Sequence, residues 1–83
     1  MNLCILSGKI VSDIEFKFII NSKNKTIAYF DMELLNKSTI QIKVYNEKAD
    51  YIYRKLRKYQ NIIIEGKIYE NRCIVCDEIY NIN

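Results

Sequence analysis

The 83-residue chain has no histidine, only two glycines and an odd number of cysteines. Without histidine it lacks the side chain that most often serves as a general base near neutral pH. No nucleophile elbow or phosphate-cradling glycine loop takes its place. Asp31/Glu33 and Asp77/Glu78 offer carboxylates, but solvated strand and turn positions account for them equally well. A binding protein rather than an enzyme is expected. Three cysteines argue against a closed disulfide framework. Cys73 and Cys76 form a C-x-x-C, yet residues three apart on a strand face opposite ways and cannot clasp one ion. Reduced, buried or half-buried thiols are expected, with no metal and no cofactor. No apolar run approaches ~18 residues, and the N-terminus shows no signal-peptide pattern. A membrane partner is therefore not expected, and the default location is cytoplasmic.

What is present points to one domain over residues 1–83. Apolar residues make up 49% of the chain and charged residues 28%, proportions of a sequence that folds rather than stays disordered. Thirteen basic against ten acidic side chains give a net charge of +3, which permits nucleic acid as a partner without demanding it.

Hydrophobic period supplies the architecture. Leu3 to Val11 is nearly all apolar, with Cys4, Leu6, Gly8 and Ile10 on one face and Leu3 and Ile5 on the other. After a turn near Asp13, Phe16, Phe18 and Ile20 alternate with Glu15 and Lys17, as a continued or second half-buried strand. "NSKNK" at 21–25 reads as a hairpin turn, followed by Ala28, Phe30, Met32 and Leu34 alternating with Tyr29, Asp31 and Glu33. Beyond "LNKS", Ile40, Ile42 and Val44 alternate with Thr39, Gln41, Lys43 and Tyr45. At Asn46, a good N-cap, the period changes to about 3.6, and Ala49, Ile52, Tyr53 and Leu56 form one apolar stripe. Arg54, Lys55, Arg57 and Lys58 follow, where they suit the helix dipole or a nucleic acid footprint. Residues 61–69 return to a strand with Ile62, Ile64 and Ile68 inward, "YENR" turns, and Cys73 to Ile82 forms the last strand.

Three strands, one helix and two strands fit an all-β, five-stranded Greek-key OB barrel with its helix between strands three and four. The glycines then make sense. Both occur in "GKI", inside runs that should be strong strands, and a glycine there weakens a strand unless space is short. In so small a barrel the first strand must bend to serve both sheets, so Gly8 and Gly66 mark two crowded corners.

"MNLCILSGKIVSDIEFKF", "IAYFDMELLN", "KLRKYQNIIIEGKI" and "IVCDEIYNI" together resemble the bacterial single-stranded DNA-binding proteins over nearly the whole chain, most specifically in the block from Leu-Arg-Lys to Ile-Glu-Gly. The resemblance implies an oligomeric OB protein that stacks bases on aromatic rings and pairs phosphates with basic side chains. Tyr45 stands where that family usually has phenylalanine, and Thr39 where it usually has tryptophan. Lys43, Lys67 and Lys9 are the candidate phosphate contacts, and Tyr29 and Tyr69 are further candidate stacking rings. Asp31, Glu33 and Glu65 fall on the same outward faces and oppose phosphate. The family's long hairpins are reduced to "LNKS" and "YENR", its acidic-tipped tail is not seen, and Tyr59 replaces its glycine after the helix. A minimal member is expected: a homodimer or homotetramer joined through residues 2–7, binding single-stranded DNA, or RNA, in replication. The alternative is a protein-interaction or primosomal assembly module on the same fold.

Overall fold

The alternating apolar runs become strands, and the run with helical period becomes the helix. In the computed structural model, which describes residues 3–20, 23, 25–69 and 73–82, the order is β1 (Leu3–Ile10), β2 (Glu15–Phe18), β3 (Thr26–Glu33), β4 (Thr39–Tyr45), α1 (Asn46–Lys55), β5 (Asn61–Tyr69) and β6 (Cys73–Asn81). The turns expected at 21–25 and 69–72 lie largely outside the described residues.

Pairing runs β1-β5-β6-β4-β3, and β3 returns to β1 through Lys9↔Glu33 and Ile10↔Met32, which closes a five-membered ring. Every contact in the ring is antiparallel except β4–β6. Among the described residues β2 pairs only with β3, and it continues the path of β1. Between them the backbone leaves the ladder, and the Asp31 N–H donates to Ser12 Oγ at 2.8 Å while the Val11 N–H donates to the Asp31 carbonyl at 2.9 Å. That break makes six strands by count. The helix consequently follows β4, not the third strand as expected, although the barrel itself is built from five strand positions.

Inside are Ile10, Phe30, Met32, Ile42, Val44, Ile62, Ile64, Ile74 and Cys76, with Ile52 and Leu56 from the helix side plugging one end. Burying each of the larger aliphatic side chains contributes roughly 1.5–3 kcal/mol against a thin overall margin. Both glycines do what crowding requires. Neither has positive φ, so they supply space, not an unusual backbone. A Cβ at Gly8 would run into the Glu33 carbonyl oxygen and lie 2.9 Å from Met32 Cγ; one at Gly66 would run into the Val75 carbonyl oxygen and lie 2.9 Å from Ile74 Cγ2. Gly8 sits where β1 passes from β5 to β3. Gly66 sits at a register shift, with Gly66 opposite Cys76 and Glu65 opposite Glu78, so that Asp77 is the extra residue of a bulge.

Several side chains depart from the periodic reading because alternation gives a face but not the length of the closed barrel. Phe18 and Ile20 are 80% and 83% exposed, since the β2–β3 ribbon runs past the barrel's end. Ile68, 46% exposed, lies on the inward parity but beyond the ring in the same way. Tyr53 is also exposed and rests against Phe16.

Asn46 does not cap the helix. Its φ is 56°, and its Oδ1 accepts the Lys25 N–H at 2.7 Å, while its carbonyl accepts Thr26 Oγ1–H at 3.3 Å. Tyr45 occupies the N-cap position without a side-chain bond. Asn46 thus fastens the end of the β2–β3 ribbon to the helix start, using the tolerance of asparagine for left-handed backbone. The helix ends in extended Leu56. Tyr59, with φ 76°, then donates its N–H to the Ile10 carbonyl at 2.7 Å, and the Ile10 N–H donates to the Gln60 carbonyl at 3.0 Å.

Candidate nucleic-acid interface

Residues paired across a sheet point to the same side. The register therefore fixes which candidates meet. Tyr29 lies opposite Lys43, Ile27 opposite Tyr45, Asp31 opposite Gln41 and Glu33 opposite Thr39, all on the outer face of β3 and β4. Lys43 continues to Val75 on β6 and Val75 to Lys67 on β5. The two lysines share one band of the outer face, two strands and roughly 10 Å apart. Gln41 continues to Cys73, which faces Tyr69. Tyr45, Lys43, Tyr29, Lys67 and Tyr69 thus occupy one continuous surface. Lys9 shares the outer face but stands apart from them. It lies between Glu33 and Asn61, four residues along β3 from Tyr29.

Register also brings in Lys17, which the alternation of β2 had already placed outward but which no spacing in the sequence connects to the site. It pairs with Ile27, and its Nζ sits 5.5 Å from the centre of the Tyr29 ring. A hydrogen bond with the Tyr29 side chain, followed by that group's charge, raises the Lys17 pKa above its ordinary value. The ammonium is held charged beside the ring.

The surface is electrically divided. Lys17, Lys43 and Lys67 flank the tyrosines, whereas a cleft of about 270 Å3 beside Tyr29 is lined by Asp13, Glu15 and Asp31 together with Ser12, Phe30 and Gln41. A polyanion is attracted to the first group and repelled by the second. The Cys76 thiol takes no part. Cys76 is buried in the core, and its pKa is pushed up to about 12, first by desolvation, while its Sγ–H donates to the Glu78 carbonyl at 3.0 Å.

No family model matches the chain. A Pyropia yezoensis protein named as single-stranded DNA-binding protein ycf41 is 35% identical over 78 residues, covering 89% of this chain and 68% of that one. The chain belongs to the single-stranded DNA-binding protein family. That family is one of binding proteins, so the expectation of a non-enzyme holds. Solved structures agree on the fold: the SSB domain of a Synechococcus protein superposes with a TM-score of 0.86 at 14% identity over 96% of this chain and 94% of that one. The mitochondrial single-stranded DNA-binding protein Rim1 of S. cerevisiae gives 0.86 at 15% identity over 99% and 94%. The OB barrel expected from the order of elements is the fold of this family member.

Proposed function

We propose that the chain binds single-stranded DNA, with little regard to sequence, across the outer face of β3 and β4. Bases stack on Tyr45 and Tyr29, and Lys43, Lys17 and Lys67 take phosphates. The observation that carries this reading is the direct cross-strand pairing of Tyr29 with Lys43 beside Tyr45, on a chain of this family. Stacking is tolerant of sequence because every base has a π-face, and each ring contributes roughly 1–3 kcal/mol per base. Tyr69, farther along the same surface, is an outer platform. Lys9, beside Glu33, is a weaker candidate contact for a strand that extends that far. Acidic Asp31 and Glu33 bias the strand toward the Lys17–Lys43–Lys67 side.

The protein acts as a homo-oligomer in this reading, in processes that expose single strands, such as replication. Leu3 and Ile5 support it, since they are exposed on the outer face of β1, and over Leu3–Gly8 that strand has a single described partner, β5. Fluorescence anisotropy with labelled oligothymidine at two salt concentrations tests the function. Affinity that falls steeply with salt is expected, because each neutralised phosphate releases counterions. No binding at low salt would overturn it and favour an assembly module.

A further inference from the structure

A second aromatic surface lies on the other face of the β2–β3 ribbon. Phe18, 80% exposed, meets Phe16 edge-on at 5.7 Å between ring centres, and Phe16 lies 5.1 Å from the Tyr53 ring of α1. This run leads into a cleft of about 470 Å3 lined by Tyr53, Ile14, Leu56, Asp13, Arg57 and Lys58. The Arg57 guanidinium is held in place by donating to the Arg54 and Leu56 carbonyls at 3.1 and 2.9 Å. Arg54 pairs with Asp50 at 2.9 Å, but both groups are mostly solvated, so the pair is weak. Exposed rings fixed by ring contacts and bordered by cations are what a stacking platform needs, and leaving such apolar area wet has no structural benefit.

Resting on the reading above, we propose that this Phe18–Phe16–Tyr53 surface, with Arg57 and Lys58, is a second single-strand subsite that continues the path from β3–β4. Continuity favours a nucleic acid here over an acidic peptide. Lys17 and Tyr29 occupy the outer face of the same two-stranded ribbon whose other face carries Phe16 and Phe18, and β2 has no described strand partner on its outer edge. Glu15 stands directly opposite Tyr29 on β2, so a strand leaving Tyr29 crosses one pair along, at Lys17, whose Nζ reaches the Tyr29 ring, then turns over that edge and meets Phe18. The crossing is about one inter-strand spacing wide. Among the described residues Asp13 is the one carboxylate lining the cleft, opposed there by Arg57 and Lys58.

The test compares oligothymidines of about 6 and about 16 nucleotides, near the two ends of the range for one OB fold. Phe18→Ala should weaken the longer oligonucleotide about five-fold or more and leave the shorter unchanged. Because the chain has no tryptophan, Phe18→Trp adds a single indole whose emission should be quenched by the longer oligonucleotide and not by the shorter. Unchanged affinity of Phe18→Ala for the longer oligonucleotide would overturn the subsite and leave the patch to a protein ligand. Equal losses at both lengths would also overturn it. If the wild-type chain binds the short oligonucleotide while Phe18 has no effect, the proposed function stands and this inference alone falls. If it binds neither length, both fall.

Discussion

Gly8→Ala isolates the feature on which barrel closure depends. The added Cβ would collide with the Glu33 carbonyl oxygen and press on Met32 Cγ at 2.9 Å. Met32 is a flexible side chain that can yield, but the carbonyl belongs to β3 and cannot move without its strand. Among the described residues β1 pairs with β3 through Lys9↔Glu33 and Ile10↔Met32, so the strain falls on the narrowest seam of the ring. Overpacking of this kind costs about 1–3 kcal/mol. Against it, replacing glycine reduces the entropy of the unfolded chain, a gain of roughly 0.5–1 kcal/mol. The two terms leave a loss of up to about 2.5 kcal/mol, and a collision with backbone rather than with a yielding side chain puts it at about 1–2 kcal/mol, which for a domain of this size lowers Tm by roughly 4–16 °C. In urea the midpoint should fall by about 1 M with an unchanged slope. Ser7→Ala, exposed and one residue away, is the control. An unaltered melting curve for Gly8→Ala would refute the claim that the strand is pinched at this corner.

Tyr45→Ala should lower single-strand affinity by roughly 1–3 kcal/mol with little change in salt slope, and Lys43→Ala should reduce the slope by about one, both read by anisotropy titration. If Tyr45→Ala lowers Tm but not affinity, the ring is structural. Tyr59→Gly should stabilise the fold by about 0.5–1 kcal/mol in urea, because its φ of 76° strains a tyrosine while the exposed ring has little packing to lose. Sedimentation at tens of micromolar should show at least a dimer that Ile5→Lys dissociates; a wild-type monomer would refute the β1 interface. Finally, the Cys76 pKa near 12 lies above that of an exposed thiol, so between about pH 9 and pH 12 the unfolded chain loses this proton first. The group's contribution is complete below pH 9 and is lost at up to about 1.4 kcal/mol per pH unit above it. Cys76→Ala should show a correspondingly flatter decline, and parallel curves would refute the assignment.

How far the sequence reveals this fold depends on what kind of information each feature needs. Ile42 and Val44 are recognisable as core from alternation alone, and Gly8 and Gly66 are recognisable as corners because nothing else explains glycine inside strong strands. Phe18, Ile20 and Ile68 share that parity and are exposed, because where a barrel closes is settled by pairing with distant strands. Asn46 misleads for a chemical reason. Its amide is suited both to capping a helix and to tolerating left-handed backbone, and only the position of Lys25, 21 residues away, decides between them. Tyr59 is the reverse case, a residue whose intrinsic preference opposes the conformation it adopts. The Ile10 carbonyl that receives its N–H is what holds it there.

The candidate site divides along the same line. That Tyr29, Lys43 and Tyr45 face outward follows from period two, but that Tyr29 stands opposite Lys43, and not one position away, follows from the hairpin register, which the "LNKS" turn sets. In that turn Lys37 adopts φ 71°, and its N–H donates to the Leu34 carbonyl at 2.9 Å while the Leu34 N–H donates to the Ser38 carbonyl at 2.8 Å. A change of one residue in that register would move every side chain of β4 to the other face, burying Lys43 and exposing Val44. The core therefore enforces the register, and the register in turn places a ring beside a cation on the outside. Lys17 and Lys9 illustrate the consequence. Both are outward lysines next to a barrel strand, yet pairing puts one over Tyr29 and the other beside Glu33. Their contributions to binding a polyanion differ because of neighbours that lie 12 and 24 residues away in the chain.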